Sequence, residues 1–362
     1  MVNWETKRLG DGVLKIGHGK NQHEIEKTNG KYPILATSGK IGHTDSFLYD
    51  KPSVLIGRKG TIDKPQYMDT PFWTIDTLFY SIVSEDHSAK YLYYLFCTID
   101  WNKHNEASGV PSLSTKVIED IEVALPPLPE QRRIAAVLSD TDELIATLEK
   151  LIAKKRAIKQ GAMQELLTGK RRLAGYNGEW VERKLGNIVE VFDNLRIPVA
   201  ESLREDGLIP YYGANGIQDY VKGYTHDGEF VLLAEDGAND LQNYPVNYVY
   251  SKVWVNNHAH VISGISGVTN TKYLSYALRT IDFQSILVGG TRAKLNGSVM
   301  RGIDITLPKD IKEQTAIASI LSDMDAEIDT LTAKLNKLRN IKQGMMSELL
   351  TGRIRLLEQE MR

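Results

Sequence analysis

The chain has 362 residues, 42% of them hydrophobic, enough to bury two or three ordinary cores. Its 44 Lys and Arg against 46 Asp and Glu leave a net charge of −2, so it is not a protein that grips any nucleic acid by charge alone. That balance leaves selective reading, help from basic partners, or no role on DNA.

A single cysteine, Cys97, argues against a disulfide framework and a Cys-rich zinc site, and is expected to be a buried small residue beside Phe96. No long apolar run and no charged-then-apolar start are present, which predicts a cytoplasmic protein without a membrane span.

Along the chain, residues 1–124 alternate short branched runs with Gly-rich turns and are predicted to be mixed, with more strand than helix. The run at 52–56 predicts a strand and 91–99 a short helix. Residues 125–173 begin at Pro126-Pro127-Leu128-Pro129, place Glu130 in a first helical turn and stop at Leu166-Leu167-Thr168-Gly169. Residues 174–307 repeat the first pattern, with a strand at 229–233 and a helix at 273–281. Residues 308–362 repeat the second, from Pro308 and Glu313 to Leu349-Leu350-Thr351-Gly352.

Segments 130–173 and 313–356 align without a gap at an offset of 183, with 25 of 44 positions identical. The variable stretches echo one another more weakly, through Trp4 and Trp180, Val54-Leu55-Ile56 and Val231-Leu232-Leu233, and Tyr94 and Tyr276. A duplicated, well-kept element joining two diverged ones implies one job done on two targets.

In the second copy Ile317, Leu321, Met324, Ile328, Leu331 and Leu335 step by four and three, the seam of a coiled coil. The first copy gives Ile134, Leu138, Ile145, Leu148 and Ile152, with weak points at Thr141 and Lys155. Each helix would run on the order of 55 Å, and a helix with one apolar stripe needs a partner, most simply its own copy. The fold class expected is α+β: two mixed α/β domains joined by two long helices in an intramolecular antiparallel coiled coil, a pseudo-two-fold repeat.

Loops on a rigid sheet can carry phosphate and base contacts, Arg and Lys suiting guanine and Asn and Gln adenine. The candidates are Arg58, Lys59, Lys103, His104 and Asn105 in the first half, and Asn215, Asn239, Asn257, His258, Arg292 and Lys294 in the second. His258 and His260 could share a strand face near Asp236 and Asp240, but no third ligand sits at readable spacing, so no metal is expected. There is no G-x-S-x-G elbow, phosphate loop or glycine-rich cofactor motif, and no catalytic residue is assigned.

The motifs Leu125-Pro126-Pro127-Leu128-Pro129-Glu130-Gln131, Ile158-Lys159-Gln160-Gly161 and Leu166-Leu167-Thr168-Gly169, with their second copies at Glu313-Gln314, Ile341-Lys342-Gln343-Gly344 and Leu349-Leu350-Thr351-Gly352, resemble the specificity subunit of a type I restriction-modification system. The resemblance implies two target-recognition domains (1–124 and 174–307) and two spacer helices (125–173 and 308–362). It implies a split double-stranded DNA target, two methyltransferase subunits and motor-nuclease restriction subunits as partners. S-adenosylmethionine, ATP and Mg would sit in those partners, with none in this chain. Two other readings remain open: a recognition subunit whose partner fuses nuclease and methyltransferase, and a coiled-coil scaffold without a DNA role.

Overall fold

The computed structural model describes residues 4–21, 26–287 and 294–357. Its contacts gather into two compact units, Met1–Glu149 with Ala333–Arg362, and Lys150–Thr332. Each unit therefore takes one variable half and a portion of both long helices. This partition cuts through the helices, whereas the sequence division separates helices from variable halves.

In the first unit β1 (Glu5–Arg8) leads to β2 (Leu14–Gly17), β3 (Tyr32–Ala36) and β4 (Gly39–Thr44). Then come β5 (Ser53–Gly57), β6 (Gln66–Met68), β7 (Trp73–Thr74) and β8 (Leu78–Val83). Helices α1 (Ala89–Phe96) and α2 (Thr115–Glu119) precede β9 (Glu122–Leu125). One sheet has the order β2-β8-β5-β6, a second β4-β3-β7, and β1 pairs with β9. Strand β5 is buried throughout because it lies inside its sheet. Its one polar side chain, Ser53, is satisfied by donating to the Ser81 carbonyl at 2.7 Å.

After α3 (Leu128–Leu166), the second unit runs β10 (Trp180–Lys184), β11 (Val189–Val191), β12 (Asp206–Gly213), β13 (Gly216–Val221), β14 (His226–Ala234), β15 (Val246–Val255) and β16 (Ala259–Gly264). Helices α4 (Thr271–Leu278), α5 (Phe283–Ile286) and α6 (Gly297–Gly302) precede β17 (Asp304–Pro308) and α7 (Ile311–Leu349). Here one six-stranded sheet, β11-β16-β14-β15-β12-β13, replaces the two sheets of the first unit, and β10 pairs with β17. The expected strands fall in β5 and β14 and the expected short helices in α1 and α4. Ser88 and Asn270 cap those helices by accepting from Tyr91 N and Tyr273 N.

Both long helices have 39 residues. Within each unit they run antiparallel, as the ion pairs show. Asp142 meets Lys342 and Glu149 meets Arg339 in the first unit, while Lys155 meets Glu327 and Lys159 meets Asp325 in the second. Seam residues Ile134, Leu138, Leu148, Ile152, Ile317, Leu321, Ile328 and Leu335 are buried, and Ile145, Met324 and Leu331 are half-buried. Burying a Leu or Ile side chain fully stabilises by about 1.5–3 kcal/mol. The two weak points have polar uses: Thr141 donates to the Val137 carbonyl, and Lys155 lies 2.7 Å from Glu327.

The two Glu-Gln pairs explain why each helix starts where it does. Glu130 and Glu313 are buried in first turns, and each holds an arginine through two bonds. Arg355 reaches Glu130 at 2.7 and 2.6 Å, and Arg172 reaches Glu313 at 2.7 and 2.8 Å. Each arginine also lies over an indole, Arg355 over Trp4 and Arg172 over Trp180, at 5.7 Å. The same indoles press on Gly352 and Gly169, whose φ of +71° and +69° ends the helices in the left-handed region. Gln131 and Gln314 are fully buried and accept from Ser88 N and Asn270 N, fastening α1 and α4 to the helix starts. These motif residues therefore hold domain, helix start and helix end together.

Cys97 differs from expectation. It follows the last residue of α1 and is exposed, because the buried face of that helix is made by Tyr91, Leu92, Tyr94, Leu95 and Phe96.

Candidate nucleic-acid interface

In the first unit β5 ends at Gly57, and the chain turns through Arg58, Lys59 and Gly60. The backbone of this turn is spoken for on both sides. Arg58 N donates to Thr77 O at 2.8 Å, and Leu113 N to Arg58 O at 3.0 Å. Gly60 N donates to Pro111 O at 2.9 Å with φ +89°, where glycine is favoured. Lys59 bridges Ser112. The Arg58 and Lys59 side chains line an open cavity of about 280 Å³ together with His18, Glu106, Ser112 and Thr115.

Asn105 shapes the facing loop. Its Oδ1 accepts from Ala107 N and Ser112 N and its Nδ2 donates to Ala107 O. Lys103 pairs with Asp100 at 3.2 Å and His104 packs against the Trp101 ring, and neither lines the cavity. Of the first-half candidates, the structure therefore brings Arg58 and Lys59 to one cleft, with Asn105 supporting its wall.

The second unit has the same turn with opposite charge. Strand β14 ends at Ala234, and Glu235 and Asp236 stand where Arg58 and Lys59 stand in the first unit. Leu295 N donates to Glu235 O at 2.7 Å, and Asp236 bridges Lys294, matching the Leu113 bond and the Ser112 bridge. The cation is on the facing loop: Lys294 Nζ lies 3.1 Å from Glu235 and 3.9 Å from Asp236. His258 pairs with Asp236, and Asn257 is exposed at the turn into β16. Asn215 Nδ2 donates to Gly237 O and its Oδ1 accepts from Asn239 N, so its amide orders the 237–239 turn. Asn239 lines a second open cavity of about 640 Å³ with Gln242, Asn243, Asn247, Lys159 and Gln160. Arg292 lies outside the described residues.

Beneath this turn is a network that sequence spacing does not reveal. His260 is buried, with Nδ1 2.6 Å from Asp193 and 3.7 Å from Glu235, and Nε2 2.8 Å from the Leu295 carbonyl. Arg196 bonds Glu235 at 2.7 Å and lies 3.4 Å from Asp193. Burial raises the Asp193 carboxyl, but the bonds from His260 and Val261 N and the Arg196 charge outweigh it and hold the group below its ordinary range. Glu235 is lowered likewise, against its burial, by Arg196 and Lys294.

His258 is exposed and His260 is buried. Only the second lies within β16, so strand alternation does not extend to the first. Asp240 is spent on its own turn, accepting from Gln242 N and Asn243 N. Asp193, Glu235 and His260 bring ligand atoms within 4.8 Å of one another. Arg196 and Lys294 already touch the same carboxylates, and a bound cation would compete with both. Asp193 and Arg196 carried no sequence signal, since they lie more than thirty residues from Glu235 and meet it only through sheet pairing.

Among the described residues no helix is long and apolar enough to cross a membrane. The family profile described as "Type I restriction modification DNA specificity domain" matches residues 1–159 and 177–340. A Haemophilus influenzae chain named as a type I restriction enzyme specificity subunit is 44% identical over 154 residues, 42% of this chain and 39% of that one. The MjaVIII type I restriction enzyme specificity subunit of Methanocaldococcus jannaschii is 24% identical across 98% of this chain and 93% of its own length. Among solved structures, the S subunit of the type I restriction-modification system from M. genitalium shares the fold, with a TM-score of 0.76 at 17% identity over 96% of each chain.

Proposed function

The chain belongs to the type I restriction-modification DNA specificity family, and from that premise we propose that it reads a split double-stranded DNA target and directs partner methyltransferase and restriction subunits to it. The observation that carries this reading is the repeated turn after β5 and β14. One backbone frame presents Arg58 and Lys59 in the first unit, and Glu235, Asp236 and Lys294 in the second. A frame kept constant while its outward side chains change is what two readers of different half-targets need. Arg58, Lys59, Asn239, Asn257, His258 and Lys294 are the proposed contacts, with Arg292 beside them in sequence. Asn105 and Asn215 act by shaping loops, and Lys103 and His104 lie beyond the first cleft.

The outer faces of the long helices support docking of the two methyltransferase subunits. Ile158 and Ile341, at matching positions, are both exposed. Three residues on, Gly161 and Gly344 have nothing within 4 Å of where a Cβ would stand. Glycine inside a helix costs about 1 kcal/mol against alanine, and nothing among the described residues requires it there. A close-packed partner would use both the apolar side chain and the gap. Basic partners would also supply the phosphate-binding charge that a net charge of −2 does not. On this reading the chain performs no chemistry. S-adenosylmethionine, ATP and Mg act in the partners, the restriction subunits are the motor-nucleases, and the complex works in the cytoplasm.

The test is long-read sequencing of host DNA for methylated adenine, with this gene present or deleted beside intact partner genes. Deletion should abolish one split methylated motif and no other. An unchanged methylome, with the partners expressed and active, would remove the proposed function.

A further inference from the structure

We propose that two matching three-residue junctions, Tyr94–Asp142–Lys342 and Tyr276–Asp325–Lys159, are positioning residues that fix the tilt of each recognition domain on the helix pair and so narrow the gap tolerated between half-targets. This rests on the split-target reading above. In the second unit the Tyr276 hydroxyl, from α4, donates to Asp325 Oδ2 of α7 at 2.7 Å. Lys159 of α3 bonds the other oxygen of Asp325 and lies 5.4 Å from the centre of the Tyr276 ring. In the first unit the Tyr94 hydroxyl, from α1, donates to Asp142 Oδ2 of α3 at 2.8 Å. Lys342 of α7 lies 2.5 Å from Asp142 Oδ1 and 5.6 Å from the Tyr94 ring. Each junction thus takes one residue from the domain and one from each long helix, with the aspartate joined to both of the others.

The bonds are built to last. Both tyrosines are buried, and burial together with the neighbouring carboxylate pushes their hydroxyls far above the ordinary tyrosine range, so they remain donors. The Lys159 and Lys342 side chains are only 16% and 23% exposed, less screened than surface pairs.

Position gives the junctions their role. The Glu130–Arg355 clamp lies twelve residues before Asp142, and the Glu313–Arg172 clamp twelve residues before Asp325. Twelve helical residues rise about 18 Å. One clamp alone is a pivot. A second pin some distance along the same helix removes the rotation about it. The Lys of the Ile-Lys-Gln-Gly motif is then kept for geometry rather than for contact with DNA.

The test expresses full-length variants with their partner subunits and maps methylated adenine by long-read sequencing. Asp142→Ala and Asp325→Ala should keep both half-target sequences while methylation at neighbouring gaps rises about tenfold relative to the main gap, a ratio worth about 1.4 kcal/mol. Tyr276→Phe, which removes one hydroxyl, should widen the gap in the same direction by less. Lys159→Arg keeps the ion pair and should match the parent chain. A single unchanged gap in both alanine variants would overturn the proposal. So would an even loss of methylation without new gaps in the alanine and phenylalanine variants, the signature of weakened folding alone. If the parent chain directs methylation to no split target, the proposed function itself fails, a pattern distinct from either.

Discussion

The turn after β5 and the turn after β14 share a backbone and oppose each other in charge. In the first unit Arg58 and Lys59 stand on the strand side of the cleft and Ser112 on the loop side. In the second, Glu235 and Asp236 stand on the strand side and Lys294 on the loop side. The basic turn needs little beneath it, because Arg58 is solvated and spends one bond on the Asp76 carbonyl. The acidic turn needs a foundation, because Glu235 is half-buried and would otherwise be an unpaired charge. Asp193, Arg196 and His260 supply it. Changing what a recognition loop presents therefore alters the core below it, while the clamps that seat the domain on the helices stay the same.

The largest expected effects break the shared frame. Glu313→Ala and Glu130→Ala each strand an arginine whose side chain is about 30% exposed. Each should lower unfolding free energy by about 2–4 kcal/mol in denaturant titrations. Similar losses in the two variants would show that the clamps are equivalent, and a large difference would show that one unit depends on its clamp less. Next come the turns. Glu235→Ala should destabilise by about 2 kcal/mol through loss of the part-buried bond to Arg196, which keeps its weaker contact with Asp193, while Arg58→Ala should change stability by less than about 0.5 kcal/mol. Arg58→Ala should instead cost about 1–3 kcal/mol of binding at one base position, read by competition between single-base target variants.

A smaller effect than loss of a clamp is a pH dependence carried by the carboxylates beneath the second turn. Asp193 and Glu235 are held below the ordinary carboxylate range in the folded chain. Their contribution is therefore complete above the unfolded carboxylate value, about pH 4, and is lost as pH falls through the folded values. Asp193→Asn should lower stability by about 1–2 kcal/mol at pH 7, and the gap to the parent should close below about pH 4. A difference constant with pH would show that the carboxylate charge contributes nothing. Arg58→Ala, tested alongside, should show no such convergence.

Much of this was legible from local pattern. The seam from Ile317 to Leu335 repeats with the period of a helix, so periodicity alone reports α7 and its need for a partner. The glycines at 169 and 352 mark ends whose positive φ favours glycine. The duplicated motifs told of one frame used twice. What the motif residues do was not legible. Glu130 was expected to favour a helix start by its charge, and the structure shows it holding Arg355, 225 residues away. Lys159 enters the sequence only as part of a repeated motif, and the structure ties it to Asp325 and Tyr276. The network under Glu235 draws on Asp193 and His260, which only sheet pairing brings together. Helix and seam depend on residues three, four or seven apart, and the repeat on one segment matching another, and the chain order records both. Clamps, junctions and buried charge networks depend on neighbours separated by tens to hundreds of residues, which only the packing of the folded chain selects.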